Sequence, residues 1–381
     1  MRKTCVGLVF LSVVIFFHSA WVNAQTYDIV QITSIGDQPD SFKINDSGLV
    51  AWVNGVGYGD TYAETICIYD SKTGLTDEFT DGYLKHYNIQ INGKGQVVWE
   101  ANKSPEYDYE IFLYDSKTKT LTQFTDNDYD DTLPNINNKG QIVWFGNRTL
   151  FFYDGKATKE IASSISGLQH VPDMNDKGQV VWQALVVKTC DIFLYDNVAK
   201  TVTNITNNNW FDDSPQLSEK GEVVWIGADE SNEKRVFYYD GKNSLPVKIT
   251  YSDNNYLPQI NDKGQMTWYA LAGTDYEIFV HDVKDLGNIP VTSFGEYIYD
   301  NMVYPKINNR GEVVWFRYCK SMEEPTDIFV YEIKTNTLAL VDEFDGGRGQ
   351  PEINDKGQIV WIGEMGQLFI ATPIPSPKST E

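Results

Sequence analysis

The sequence predicts an all-β chain, an eight-bladed β-propeller built from four-stranded antiparallel blades. Three observations predict it. A phrase of the form Pro-x-Ile-Asn-Asp-Lys-Gly-Gln-Val-Val-Trp, clearest at 258–268, recurs eight times. Its glycines are Gly48, Gly95, Gly140, Gly178, Gly221, Gly264, Gly311 and Gly357, at intervals of 47, 45, 38, 43, 43, 47 and 46 residues. Each is followed four residues later by a tryptophan (Trp52, Trp99, Trp144, Trp182, Trp225, Trp268, Trp315 and Trp361). A period of 40–50 residues carrying several short strands is the signature of propeller blades. One degenerate unit would reduce the count to seven.

The first element of each repeat is a short strand ending in Ile-Asn. The chain then reverses through Asn-Asp-Lys-Gly, where glycine suits a positive-φ position and Asn or Asp bonds back to the local backbone. The second strand, such as Gln179-Val180-Val181-Trp182, is apolar on both faces, as a strand covered on both sides requires. The eight tryptophans are therefore expected between neighbouring sheets. In repeat two the first strand falls around 88–91, the second at 96–100, the third at 111–114 and the fourth at 121–125. A polar hairpin turn at 115–119 joins the last two. The third strand closes on Tyr-Asp in five repeats, at Asp70, Asp115, Asp154, Asp196 and Asp240. Near-matches are His281-Asp282 and Tyr331-Glu332, and repeat eight departs with Ala371-Thr372. The tyrosine is expected to pack between blades and the aspartate to cap the turn.

Repeat eight has a third strand at 367–372 but no fourth. The segment Tyr27-Asp28-Ile29-Val30-Gln31-Ile32-Thr33 matches a fourth strand with no other strand before it. The N-terminal strand is therefore expected to complete the last blade, which removes an exposed sheet edge.

The chain reads as three segments: a signal peptide at 1–24, the propeller at 25–372 and an extended tail at 373–381. Arg2 and Lys3, a 12-residue apolar run from Val6 to Phe17, and Val22-Asn23-Ala24 form the leader pattern. The apolar run is too short to span a bilayer comfortably. A secreted or periplasmic location follows, with no membrane insertion once the leader is removed. Formal charge is −22, and loss of Arg2 and Lys3 takes it to −24. Such a chain repels nucleic acid and anionic membranes. Cys5 would leave with the leader, and Cys67, Cys190 and Cys319 fall in separate repeats, so no disulfide framework or Cys/His zinc site is expected.

The repeat unit, followed by Asp/Glu-Ile-Phe-x-Tyr-Asp and Thr-x-x-Ile-Thr, resembles the TolB-like (WD40-like, PD40) propeller repeat. Residues 258–268 with 277–282, and 215–225, carry it best. The resemblance covers nearly all of 25–372. It departs in its turn, Asn-Asp-Lys-Gly in place of Ser-Pro-Asp-Gly, and in lacking the small α/β domain that precedes the propeller in TolB. The resemblance implies a propeller in an exported, often protein-binding role. Similar propellers front serine peptidases, but no Gly-x-Ser-x-Gly elbow occurs here.

Loops leading into the first strand of each blade are rich in acids and aromatics. Tyr129, Asp130 and Asp131 form one set, Trp210, Asp212 and Asp213 a second, Tyr256 a third, and Tyr299 with Asp300 a fourth. Together they are the candidate ligand-binding residues at the channel mouth, for a protein or a carbohydrate. Loop composition alone explains them equally well. Asp126, Asp128 and Asp130 have hard oxygens of the kind Ca²⁺ takes, though no Gly and distal Glu follow at EF-hand spacing. His86 and His170 precede first strands near the mouth, and His281 replaces a strand tyrosine. The favoured reading is a monomeric, non-enzymatic binding or scaffold module, because no compact His/acid cluster is visible. The alternative is an extracellular polysaccharide lyase or hydrolase using mouth carboxylates, with catalytic residues unassigned.

Overall fold

The computed structural model describes residues 25–375 apart from 35–37, 57–62, 84, 103–107, 167–169, 243–244, 251–253, 274, 293–303, 318–325, 345–347 and 364. The proposed leader, the tail beyond 375, Cys319, Tyr299 and Asp300 lie outside the described residues. Every regular element described is a strand. The strands form eight separate four-stranded antiparallel sheets, so the blades number eight and not seven. In blade 2 strands a to d are Lys85–Ile91, Gln96–Asn102, Glu110–Asp115 and Thr120–Gln123. Strand d stops short of the expected 125. Phe124 and Thr125 instead both donate to the Ile111 carbonyl, a local bulge.

Strand d of blade 8 is the N-terminal segment. Tyr27–Gln31 pairs antiparallel with Leu368–Pro373, Tyr27 opposite Pro373 and Gln31 opposite Phe369. An apolar residue followed by threonine at the end of most d strands (Phe124-Thr125, Ile205-Thr206, Ile249-Thr250, Val291-Thr292, and Ile32-Thr33 in blade 8) explains the fit. Thr125 Oγ1 accepts from the Ile111 main-chain N–H (2.9 Å), and Thr206, Thr250 and Thr292 repeat this latch on Ile192, Val236 and Ile278. In blade 8 the threonine is Thr33, accepting from Leu368 at 2.8 Å.

Eight hydrophobic clusters hold the ring, and each joins two neighbouring blades. Every repeat tryptophan sits in one of them and is at most 4% exposed. Seven stack on the phenylalanine opposite in strand c, with centroids 5.5–5.9 Å apart, for example Trp99 on Phe112 and Trp361 on Phe369. In blade 1, Cys67 takes the place opposite Trp52. Burying one such ring removes ~150–250 Å² from water, worth roughly 4–6 kcal/mol before entropy at about 25 cal/mol per Å². The Tyr-Asp aspartates cap their turns as expected: Asp115 Oδ1 accepts from the Lys117 and Thr118 N–H groups. Cys67 and Cys190 are buried, and among the described residues neither forms a disulfide.

The a–b turns converge on one end of the central channel. Each turn asparagine accepts two main-chain N–H groups of its own turn and donates from Nδ2 to the equivalent carbonyl of the next blade. Asn45 reaches Asn92, Asn92 reaches Asn137, Asn137 reaches Asn175, and Asn175 reaches Ser218, at 2.8–3.1 Å. Asn261, Asn308 and Asn354 continue the ring back to Asn45 at 2.9 Å. Ser218 is too short to reach onward to Asn261. A second ring lies beside the first: the main-chain N–H of the next residue donates to the equivalent side chain one blade on. It runs from Gly93 through Asn138, Asp176, Glu219, Asp262, Asn309 and Asp355 to Asp46. Its gap is at Gly93, which offers no side chain to Asp46. The two gaps fall at different interfaces, so each interface keeps at least one link.

Candidate functional site

Strand a is the innermost strand of each blade. The a strands are Gln38–Ile44, Lys85–Ile91, Asp131–Ile136, Asp173–Met174, Asp212–Leu217, Asn255–Ile260, Lys306–Ile307 and Arg348–Ile353. Most carry a proline two residues before the final apolar residue. Proline lacks the N–H that at this position would face the channel without a partner, so an edge strand tolerates it. Next to it, strand a bulges: the register shifts between Tyr87 and Gln90, Thr132 and Asn135, Asp213 and Gln216, and Tyr256 and Gln259. At these bulges Asn88, Leu133, Ser214 and Leu257 have φ of 53°, 56°, 54° and 46°. A leucine there is strained by about 1–2 kcal/mol. The preceding blade helps to hold the bulge: Glu100 Oε2 accepts from the Leu133 N–H (2.5 Å) and Gln183 Oε1 from the Ser214 N–H (3.1 Å). The bulge directs Asn88, Ser214 and Leu257 to the channel wall.

The two ends of the channel differ chemically. At the a–b end, a recess of about 340 Å³ is lined by Asp46, Asp176, Glu219, Asp262 and Asp355, with Asn138 and Asn309 between them. Burial and the neighbouring acids push the Asp46 and Glu219 carboxyls above the usual range. Mid-channel, Lys43 Nζ contacts Glu352 Oε1 at 2.5 Å, and Lys306 Nζ stands 3.8 Å from the same oxygen. Burial and nearby Lys43 outweigh the attraction of Glu352 and lower the Lys306 ammonium. Burial pushes Asp173 up to about 6 although Leu217 and Met174 donate to it.

At the other end lies a cleft of about 490 Å³. Tyr256 stacks on Tyr269 (5.1 Å, 16°), and both meet the edge of Tyr276 at 5.9 and 5.5 Å. Lys234 Nζ lies 4.9 Å from the Tyr256 ring centre. Tyr304, Gln259, Gln350, Lys306, His170, Asp213 and Ser214 also line it. Burial raises the Tyr256, Tyr269 and Tyr304 phenols, so they stay protonated as hydrogen-bonding hydroxyls. His170 Nε2 sits 3.3 Å from Asp213 Oδ1, with side chains 51% and 27% exposed. That contact raises the imidazole and, against the effect of burial, lowers the carboxyl. A second compartment of about 390 Å³, containing Lys43, Asn88, Gln90 and Gln216, shares His170, Ser214, Gln259 and Gln350 with the cleft.

Of the residues the sequence singled out, this cleft brings together Tyr256, Asp213 and His170. Asp131 and Asp212 are each 1% exposed and turned inward. Asp131 Oδ1 accepts from Trp144 Nε1 (3.1 Å) and Asp212 Oδ1 from Trp225 Nε1 (2.9 Å), while Asn127 and Asn208 donate to their second oxygens. They anchor the core tryptophans. In blade 2 His86 occupies the equivalent position. It is 2% exposed and buried between Asp81 and Glu64, not at the mouth, and Asp81 instead accepts from Trp99 Nε1 (3.1 Å). Tyr129 and Trp210 lie two residues ahead of strand a, at the loop surface outside the cleft lining, with Trp210 39% exposed. Asp130 is exposed and accepts from the Tyr109 N–H. Asp126 and Asp128 are exposed, and among the described residues no group of three or more His, Cys, Asp or Glu side chains is arranged to hold a metal ion. His281 is buried against Asn288. Lys234, Tyr269, Tyr304, Lys306 and Gln350 were not singled out by the sequence. Counting back from the apolar residue of each a strand would have aligned His170, Asp213 and Tyr256 at one position.

No family model matches this chain, and no curated protein matches it. Solved structures do. The Dos1 propeller is 11% identical with a TM-score of 0.59, over 92% of this chain and 95% of that one. An oligogalacturonate lyase in complex with manganese is 12% identical with a TM-score of 0.54, over 93% and 99%. TolB from Acinetobacter baumannii is 12% identical over 81% and 82%, but its TM-score of 0.42 is too low to carry an argument. At these identities the first two likenesses show the propeller fold alone.

Proposed function

We propose that this propeller is a binding module that holds a sugar chain at the channel mouth where Tyr256 and His170 lie. The observation that carries the reading is the wall of Tyr256, Tyr269 and Tyr304, the first two braced by the edge of Tyr276, beside Gln259, Gln350 and Lys234. Aromatic faces give a sugar ring apolar contact, and amides and phenols give its hydroxyls hydrogen-bond partners. The volume lies within the range of small-ligand clefts. A protein partner would be expected to use a flatter surface. Binding is measured by calorimetry against a panel of soluble polysaccharides, with Y256A and Q350A compared with the unaltered chain. Loss of binding in variants that melt normally supports the site. Unchanged binding in both would sink it.

Export belongs to the same reading. Cleavage after Ala24 would make Gln25 the first residue of the recovered protein, which N-terminal sequencing checks. An enzymatic second reading rests on one observation, the His170–Asp213 contact inside the cleft. It requires new chain ends to appear on incubation with a bound polysaccharide, and H170A to abolish them without loss of binding.

A further inference from the structure

The chain has 53 acidic against 31 basic residues, yet its cleft departs from that balance. Among the described residues, the lining of the cleft and its adjoining compartment carries Lys43, Lys234, Lys306 and His170 against one carboxylate, Asp213. The compensation is incomplete. Glu352 is in close contact with Lys43 (2.5 Å) and must be shared with Lys306 at 3.8 Å. Asp173 adds a further attraction to Lys306, but both its oxygens accept from the Leu217 and Met174 amides. Lys234 lies over the Tyr256 ring, where its charge stands at the wall of the cleft. Concave walls focus such a field. The far end of the channel is the reverse, with five carboxylates around its recess. An anionic chain is therefore repelled from one mouth and attracted at the other.

We infer that the sugar chain held in this cleft carries anionic groups on its rings, gripped by Lys234 and Lys306 while the tyrosine wall takes the ring faces. The inference rests on the sugar-binding reading and adds the charge of the ligand to it. Electrostatic complementarity of this kind selects partners and weakens as salt screens it.

The test uses two matched pairs of probes: de-esterified against fully methyl-esterified homogalacturonan, and dextran sulfate against dextran. Affinities are measured by calorimetry on the leaderless chain at 50 and 300 mM NaCl. A charged member should bind at least about ten-fold more tightly than its neutral partner at low salt, the margin shrinking at high salt. Replacing Lys234 or Lys306 by methionine should each weaken the charged probe about ten-fold, the scale of one charge-assisted hydrogen bond. Lys234 is exposed, so K234M keeps the test open if K306M fails to fold. Preference for the carboxylated or the sulfated probe identifies which anion is recognised, and either supports the inference. Equal binding of charged and neutral forms overturns it and leaves the sugar reading standing. Binding of none of the four overturns the sugar reading itself.

Discussion

Replacing Asn137 tests what the ring of turn asparagines contributes. Asn137 is 5% exposed and its side chain makes four hydrogen bonds. Its Oδ1 accepts from the Lys139 and Gln141 N–H groups, and its Nδ2 donates to Gln141 Oε1 and, across the blade interface, to the Asn175 carbonyl. Ser218 shows what a serine can do at this position. It accepts from the Lys220 and Glu222 N–H groups at 3.2 Å and reaches Glu222, but not the next blade. N137S should therefore lose mainly the inter-blade bond, about 0.5–1.5 kcal/mol. N137A also leaves the buried Gln141 N–H without its acceptor, a further ~1–3 kcal/mol, while the Lys139 N–H at the exposed turn can turn to water. The series predicts about 1 kcal/mol for serine and roughly 2–4 kcal/mol for alanine. The reverse change, S218N, should add the missing link and stabilise by about 1 kcal/mol. A glutamate four residues on is no obstacle, since Asn308 donates to Glu312 at 2.7 Å in the same arrangement. Urea midpoints at a common slope measure all three. Equal losses for N137S and N137A, or a destabilised S218N, would refute the reasoning.

Removing residues 25–34 should lower the melting temperature by ten degrees or more and broaden the transition, because it strips the fourth strand and the Thr33 latch from blade 8; an unchanged melt rejects the closure as a stabilising device. His86 has a raised pKa: burial opposes its charge, but the Asp81 and Glu64 contacts outweigh burial. Its contribution is complete below about pH 6.5 and is lost as pH rises through the higher folded value, so H86Q should flatten the decline of stability as pH rises above 6.5. Burial pushes Asp212 up to about 6 despite its bonds from Trp225 and Asn208. A raised carboxyl penalises the fold at neutral pH and the penalty lifts as pH falls through 6 towards 4. Stability should rise over that window, and a D212N chain that shows the same rise assigns it elsewhere.

The blade count, the strand order and the N-terminal closure were legible because they rest on spacing and on the Ile-Thr and Tyr-Asp signatures, which repeat. The channel was not. Its wall is made by the residue before each final apolar residue, successively Lys43, Gln90, Asn135, Asp173, Gln216, Gln259, Lys306 and Glu352, which have no type in common. Loop composition grouped Tyr129 and Trp210 with Tyr256, but three residues of register separate loop surface from cleft wall. The same composition offered Asp131 and Asp212 as ligands, when a buried indole N–H needs an acceptor and a carboxylate at the start of strand a supplies it. Sequence shows that such an acid is present; only the pairing with the tryptophan shows which way it faces.

The closure by Tyr27–Gln31 also sets an order of events. The contact from Leu368 to Thr33 spans 335 residues of chain, so the strand emerging first during synthesis is the last to find its place. Until it does, the strand Leu368–Pro373 presents a bare edge able to pair with another molecule. Folding of the ring is thus governed by its longest-range contact, and loop-closure entropy makes that step slow. The first seven blades can assemble from local hairpins while the eighth waits. A chain cut short at either end would lose the same seam.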